Sequence, residues 1–186
     1  MQKFNGQFIV IADPIRNKAE HAKTDTRGWL KQEISKKNVV YTSLLPGPET
    51  EAAEIALNLK IPYIAVIPYK DKYKRWPRSV QNKYLRLLKK SVRVVYVDRE
   101  LEYISDLYPP DKPGTGKTTD QVRWLVSKIH AYPGITHIVT YISGFHSLKA
   151  RALEGLLNDS SLSGKWHLTQ RTHLQIIDPD DDDLPF

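Results

Sequence analysis

The chain has 186 residues, of which 40% are apolar and 26% are charged, enough for one α/β domain with a buried core. It contains no cysteine, which excludes a disulfide framework and a thiolate metal site. No run approaches the ~18 apolar residues of a membrane helix. The opening stretch MQKFNGQFIVIADP has too short an apolar run for a signal peptide. We therefore expect a cytoplasmic protein with no membrane partner.

The net charge of +7 is unevenly distributed along the sequence. Residues 60–93 contain eleven Lys and Arg side chains against one acidic residue, Asp71, whereas the last nine residues read DPDDDDLPF. Such a basic block is typical of a solvated face, and also of a surface that binds nucleic acid or an anionic ligand. The domain is predicted to span residues 1–178, and the acidic tail, 179–186, is predicted to be disordered.

Short apolar runs alternate with helical patterns from one end of the sequence to the other. The runs are rich in β-branched residues at consecutive positions, which is typical of strands buried on both faces. The predicted strands lie at residues 7–12, 38–43, 62–67, 93–97, 136–142 and 172–177. This alternation predicts a single Rossmann-like three-layer α/β domain with a mostly parallel six-stranded sheet.

Helical periodicity marks the segments between these runs. The predicted helices lie at residues 24–35, 49–59, 78–90, 120–130 and 147–157. The first is expected to begin at a cap formed by Asp25 or Thr26. The third and fourth each carry an apolar stripe, formed by Val80, Tyr84, Leu87 and Leu88 and by Val122, Leu125, Val126 and Ile129.

The stretch PPDKPGTGKTTDQ, residues 109–121, has the final GKT of a nucleotide-triphosphate loop. The first glycine of that motif corresponds to Asp111, whose carboxylate would repel a phosphate. The prolines before it exclude a central strand. The stretch is therefore predicted to be a loop, followed by a helix that Thr118 or Thr119 caps.

Ligands of parallel α/β sheets bind beyond the carboxyl ends of the strands, so the loops that follow the strands hold the candidate site residues. Gly47 permits a tight turn after the second strand. Glu49 then lies near a helix N-terminus, where it either complements the helix dipole or faces a ligand hydroxyl. Glu51 and Glu54 are expected to be exposed helix residues. No histidine has metal-ligand spacing, and neither a metal nor a cofactor is predicted.

The remaining candidates have chemistry suited to a nucleotide, each with a structural alternative as a surface, turn or packing residue. Arg16 has a guanidinium that can bind phosphate, and Ser43 and Ser147 have hydroxyls that can donate to phosphate. Gly144 precedes a predicted helix, whose first backbone N–H groups bind anions. Tyr69 and Trp76 have rings that can stack on a base, and His146 can exchange protons.

Two motifs carry a family resemblance. The stretch GPETEAAEIAL resembles the G-x-D-x-x-A-A-E-x-A pattern of the YpsA-like branch of the SLOG superfamily, with Glu49 at the aspartate position. A second family pattern, P-[FY] followed by W-x4-Q-x2-Y-x2-L-L, is matched by Pro68, Tyr69, Trp76, Gln81, Tyr84, Leu87 and Leu88. The resemblance covers roughly residues 7–155. Looser matches to other family loops leave Arg16, Arg123, Trp124, Gly144 and Ser147 in place.

The resemblance implies a SLOG-like module that binds a nucleotide or nucleotide-derived ligand, for sensing or sequestration. A first alternative is a hydrolase or transferase that acts at a nucleotide N-glycosidic bond, with Glu49 as the catalytic carboxylate. A second is a protein that binds single-stranded nucleic acid through residues 60–93. A homodimer is left open. For a small ligand, we expect Arg16, residues 43–49, Trp76 and residues 144–147 to converge at one end of the sheet, beyond the carboxyl ends of the strands.

Overall fold

The computed structural model describes residues 6–12, 20–97, 117–142, 148–158 and 160–172. Six strands lie within these ranges: β1 Gln7–Ala12, β2 Val39–Thr42, β3 Tyr63–Ile67, β4 Arg93–Tyr96, β5 Thr136–Ile142 and β6 Trp166–Thr172. They form one sheet in the order β4-β3-β2-β1-β5-β6, and every neighbouring pair is parallel. The predicted Rossmann-like α/β architecture is confirmed.

Helices connect the strands and cover both faces of the sheet. They are α1 Glu20–Ile34, α2 Pro48–Asn58, α3 Arg78–Lys90, α4 Lys117–Ala131 and α5 Leu148–Leu157, with short 3-10 helices at Lys72–Arg75 and Ser160–Leu162. Helices α1 to α3 pack on one face, and α4 and α5 pack on the other. The bounds of α3 match the prediction residue for residue.

Two apolar cores explain why the inner strands are apolar at consecutive positions. In β1, Phe8 and Val10 belong to the core beneath α1 to α3, whereas Ile9 and Ile11 belong to the core beneath α4 and α5. Successive side chains of a strand point to opposite faces, so a strand covered on both faces must be apolar throughout.

The spatial order of the strands relative to their order in the sequence reverses between β1 and β5. From β1 the chain builds outward through β2 and β3 to β4, and it then crosses to the other side of β1 to form β5 and β6. Ala12, the last residue of β1, pairs with Tyr141 near the end of β5. The segments that follow these two strands therefore start side by side at the carboxyl edge of the sheet, the position where ligands of such folds bind.

The sixth strand was predicted at residues 172–177, but it begins earlier, at Trp166. It spans Trp166–Thr172, whereas residues 173–177 lie outside the described ranges. As the edge strand it alternates: Trp166 and Leu168 pack against the core beneath α4 and α5, while His167 lies beside His137 on the other face. A continuous apolar run is the signature of an inner strand and not of this one.

The predicted caps of two helices were also wrong. Helix α1 begins at Glu20, so Asp25 and Thr26 lie inside it, and α4 begins at Lys117, so Thr118 and Thr119 lie in its first turn. Both helices start upstream of the residues that the cap rule had selected. The loop at 109–116 and the acidic tail at 179–186 lie outside the described ranges.

Candidate functional site

Glu49 lies in the first turn of α2, but its side chain turns back toward the sheet and is only 1% exposed. One carboxylate oxygen accepts the N–H of Ala12 at 2.8 Å. The other accepts the N–H of Ser43 at 3.0 Å, the N–H of Leu45 at 3.3 Å and the Ser43 hydroxyl. The paired register of β1 and β2 ends at Ile9 and Tyr41. The carboxylate thus joins the end of β1 to the loop after β2, beyond the last paired residues of these two strands.

The loop that Glu49 organises has unusual backbone geometry. Leu44 is fully buried, yet its φ is 58°, in the left-handed region that residues with a side chain rarely adopt. Gly47 has φ 112° and ψ −140°, a conformation open essentially to glycine alone. This backbone conformation explains why a glycine occupies position 47 in the tight turn. Strain of this kind is typical of functional loops.

Two threonine hydroxyls hold the same loop. The Thr42 hydroxyl donates to the Glu49 carbonyl at 2.8 Å and accepts the Leu44 N–H at 3.2 Å. The Thr50 hydroxyl donates to the Gly47 carbonyl at 2.9 Å and accepts the Gly47 N–H at 3.2 Å. Neither threonine was singled out in the sequence, although Thr50 lies within the GPETEAAEIAL motif and Thr42 lies in the strand before it. The loop is therefore fixed in one conformation before any ligand arrives.

A groove of about 410 Å³ opens between this loop and the first two turns of α3. It falls within the size range of small-molecule sites, roughly 300–1,000 Å³. The lining residues are Leu44, Pro46, Gly47, Thr50, Glu51, Ser79, Val80, Lys83 and Tyr84. Both helices that border it point their N-termini toward the carboxyl edge, where their dipoles favour negative charge.

The aromatic residues after β3 pack mainly against the protein. Trp76 is half-buried and meets the Tyr84 ring edge-on, with centroids 5.3 Å apart, while Tyr73 stacks on the other side at 5.2 Å. Gln81 donates to the Trp76 carbonyl at 2.7 Å. Burial, followed by the neighbouring Tyr96 and Tyr73, raises the pKa of Tyr84 well above its usual range. Tyr69, half-buried, follows the end of β3. The observed contacts of Trp76 are therefore those of a packing residue, which was the alternative to its predicted role of stacking on a base.

The predicted site residues divide into three groups. Ser43, Gly47 and Glu49 come together at the end of β2, where Ser43 is buried and directs its hydroxyl at Glu49. Tyr69 and Trp76 lie at the same sheet edge, on the α3 side. The remaining four lie outside the described residues; they are Arg16, Gly144, His146 and Ser147. Contact of any of the nine with a ligand stays a prediction.

Glu54 was predicted to be an exposed helix residue, and this was wrong. Its side chain is 19% exposed, and its carboxylate lies 2.9 Å from the Lys83 ammonium, 2.8 Å from the Arg86 guanidinium and 3.8 Å from that of Arg27. Glu54 thus links α2 to both α1 and α3. No local pattern in the sequence indicates this, because the partners belong to two other helices.

A buried histidine lies at the opposite, amino end of the sheet. His137 is 8% exposed, with one ring nitrogen 2.9 Å from the Thr169 hydroxyl and the other 3.4 Å from a Glu33 oxygen. Burial and the nearby Lys37 lower the pKa of His137 to about 4, against the opposing effect of Glu33. The ring is therefore neutral at pH 7, and it belongs to the packing between α1 and the sheet.

Comparison with known proteins does not assign the chain to a family. No family model matches the chain, and no curated protein matches it. Among the described residues, no group of three or more His, Asp or Glu side chains could hold a metal ion. Within the same ranges no helix is both long and apolar enough to cross a bilayer. The SLOG resemblance accordingly stays a prediction, and the fold defines the chain as a Rossmann-like α/β protein.

Proposed function

We propose that the protein is a SLOG-like module that binds a nucleotide or nucleotide-derived ligand at the carboxyl edge of its sheet, for sensing or sequestration. The observation that carries this proposal is the Ser43–Glu49 loop. It is strained at Leu44, pinned by Glu49 and located beside the point where strand order reverses. Ligands of such sheets bind in the crevice at the switch point, and a preformed loop beside that crevice supports binding because a rigid loop loses little freedom.

The predicted ligand-binding residues Arg16 and Ser147 follow strands that end at this same edge of the sheet. Ala12 and Tyr141 are paired residues near the ends of β1 and β5, so the segments carrying Arg16 and Ser147 start beside each other. We assign the phosphate of the ligand to Arg16 and to the backbone of residues 144–147, with His146 nearby as a donor. The groove beside Gly47 leaves room for a further part of the ligand, next to Tyr69 and Trp76.

The contacts of Glu49 favour binding over hydrolysis of an N-glycosidic bond. A catalytic carboxylate must come within hydrogen-bond reach of the substrate. Here both oxygens accept hydrogen bonds from Ala12, Ser43 and Leu45, and the residue is 1% exposed. A substrate would have to displace these donors first. The proposed role of Glu49 is therefore to shape the loop that meets the ligand.

Isothermal titration calorimetry against ADP-ribose, NAD, cyclic nucleotides and nucleoside monophosphates tests the proposal. We expect heat of binding from at least one of these ligands, weakened by Gly47→Ala and unchanged by Gly155→Ala. Gly155 is the matched control because it lies in α5 and an added Cβ would meet nothing within 4 Å. No heat from the whole panel would contradict the proposal. Release of free base from a nucleoside monophosphate would instead identify a hydrolase.

A further inference from the structure

Helix α3 presents opposite chemistry to the core and to solvent. Tyr84 and Leu87 are buried beneath it, whereas Arg78, Leu85 and Lys89 are exposed. The spacing of those three, i, i+7 and i+11, places them on one side of the helix. With Arg75 before the helix, Lys90 at its end and Val92 just after it, they form a surface that we name the basic face.

The cations of the basic face have no acidic partners in the described part of the chain. The one acidic residue between positions 70 and 93, Asp71, pairs with Lys74 at 3.1 Å. Glu54, on the neighbouring helix, is engaged by Lys83 and Arg86. No described carboxylate forms an ion pair with any of the four cations of the basic face, Arg75, Arg78, Lys89 and Lys90. Four cations for which the described residues supply no acidic partner favour an extended anionic partner.

Two large apolar side chains lie near these cations in the sequence: Leu85, between Arg78 and Lys89, and Val92, after Lys90. Leu85 is 40% exposed and Val92 is 65% exposed. A duplex presents phosphates but stacks its bases away from such contacts, whereas a single strand presents both phosphates and unpaired bases. An anionic bilayer would attract the cations alone, because the face of α3 that could insert is buried against the sheet through Tyr84 and Leu87, whereas a single strand can also contact Leu85 and Val92.

From these cations, which have no acidic partner among the described residues, and from the exposed Leu85 and Val92 beside them, we infer that the basic face binds single-stranded nucleic acid without sequence preference. Phosphates contact Arg75, Arg78, Lys89 and Lys90, and unpaired bases contact Leu85 and Val92. From Arg78 to Lys90 the cations span about 18 Å along α3, at the helical rise of about 1.5 Å per residue, and several nucleotides cover that length. This surface is separate from the small-ligand site proposed above, so either can fail without the other.

Fluorescence anisotropy with a labelled oligothymidine of about 16 nucleotides tests this surface. With four phosphate contacts at about −0.7 each in log K against log salt, affinity should fall about 50-fold between about 50 and 200 mM salt. The Lys89→Gln, Lys90→Gln double variant should reduce that to about 7-fold, because half of the contacts are gone.

The matched single variants are Lys89→Gln and Lys31→Gln, since both lysines are exposed in the last turn of a helix. Only Lys89→Gln should lower the salt slope, by about 0.7. Three results would overturn the inference: no binding at the lower salt, an equal effect of Lys31→Gln, or equal affinity for a duplex of the same length. Binding to phosphatidylserine vesicles without binding to the oligonucleotide would overturn it as well.

Discussion

Replacing Glu49 by glutamine keeps the shape of the side chain and turns one of its acceptor oxygens into a donor amide. If that amide faces Ala12, the N–H that Glu49 now accepts at 2.8 Å meets another donor in a site that is 1% exposed. A buried N–H without its acceptor costs about 1–3 kcal/mol. The remaining bonds, from Ser43 and Leu45, lose their charge assistance, which adds about 1 kcal/mol. We therefore expect Glu49→Gln to destabilise the fold by about 2–4 kcal/mol.

Urea denaturation followed by circular dichroism measures this loss, and a thermal melt should show a Tm about 4–16 °C lower for a chain of this size. Glu154→Gln makes the same chemical change on the exposed side of α5 and should alter stability by less than about 0.5 kcal/mol. Equal stability of the two variants would refute the bridging role of Glu49. Loss of ligand binding in Glu49→Gln without loss of stability would instead point to direct contact with the ligand.

Three further variants test other parts of the structure. Gly47→Ala should destabilise by about 1–3 kcal/mol in urea, because its φ of 112° excludes a Cβ, and a neutral result would mean that the loop can relax. For His137, whose folded pKa of about 4 lies below the ordinary 6.5, stability should fall by about 1 kcal/mol per pH unit as pH drops from 6.5 toward 4. His137→Gln should flatten that dependence, and parallel curves would contradict the assignment. Glu54→Gln removes the ion pairs to Lys83 and Arg86 and should cost about 1 kcal/mol at low salt and less in high salt, so a salt-independent loss would argue against them.

The inner strands were predictable because burial on both faces requires apolar residues at consecutive positions, and this pattern is visible in the sequence. Residues 7–12 and 136–142 were predicted as strands and match β1 and β5 residue for residue. The edge strand β6 has apolar packing chiefly on one face, so its sequence WHLTQRT carries a weaker signal. Helix starts were misplaced because the cap rule selected residues that lie inside α1 and α4, at Asp25 or Thr26 and at Thr118 or Thr119.

The candidate site was predictable in position but not in its internal contacts. The loop after β2 follows from the glycine and proline of PGPE, and parallel strands place it at the carboxyl edge. The partner of Glu49 at Ala12 is 37 residues away, and the partners of Glu54 are on other helices. Contacts across such separations depend on how the helices pack, which no local pattern of residue types encodes.

The position of β1 has a consequence for how the chain assembles. It is the first strand in the sequence, yet it lies between β2 and β5, and the Gln7 side chain donates to the Thr136 hydroxyl across 129 residues. Strands β1 to β4 can pair as the ribosome releases them, but the other side of β1 must wait for β5. Non-local parallel pairing is slow, because loop closure precedes any gain from contacts. We expect this late step to limit the folding rate, and nascent chains paused before residue 136 to expose an open, apolar strand edge to chaperones.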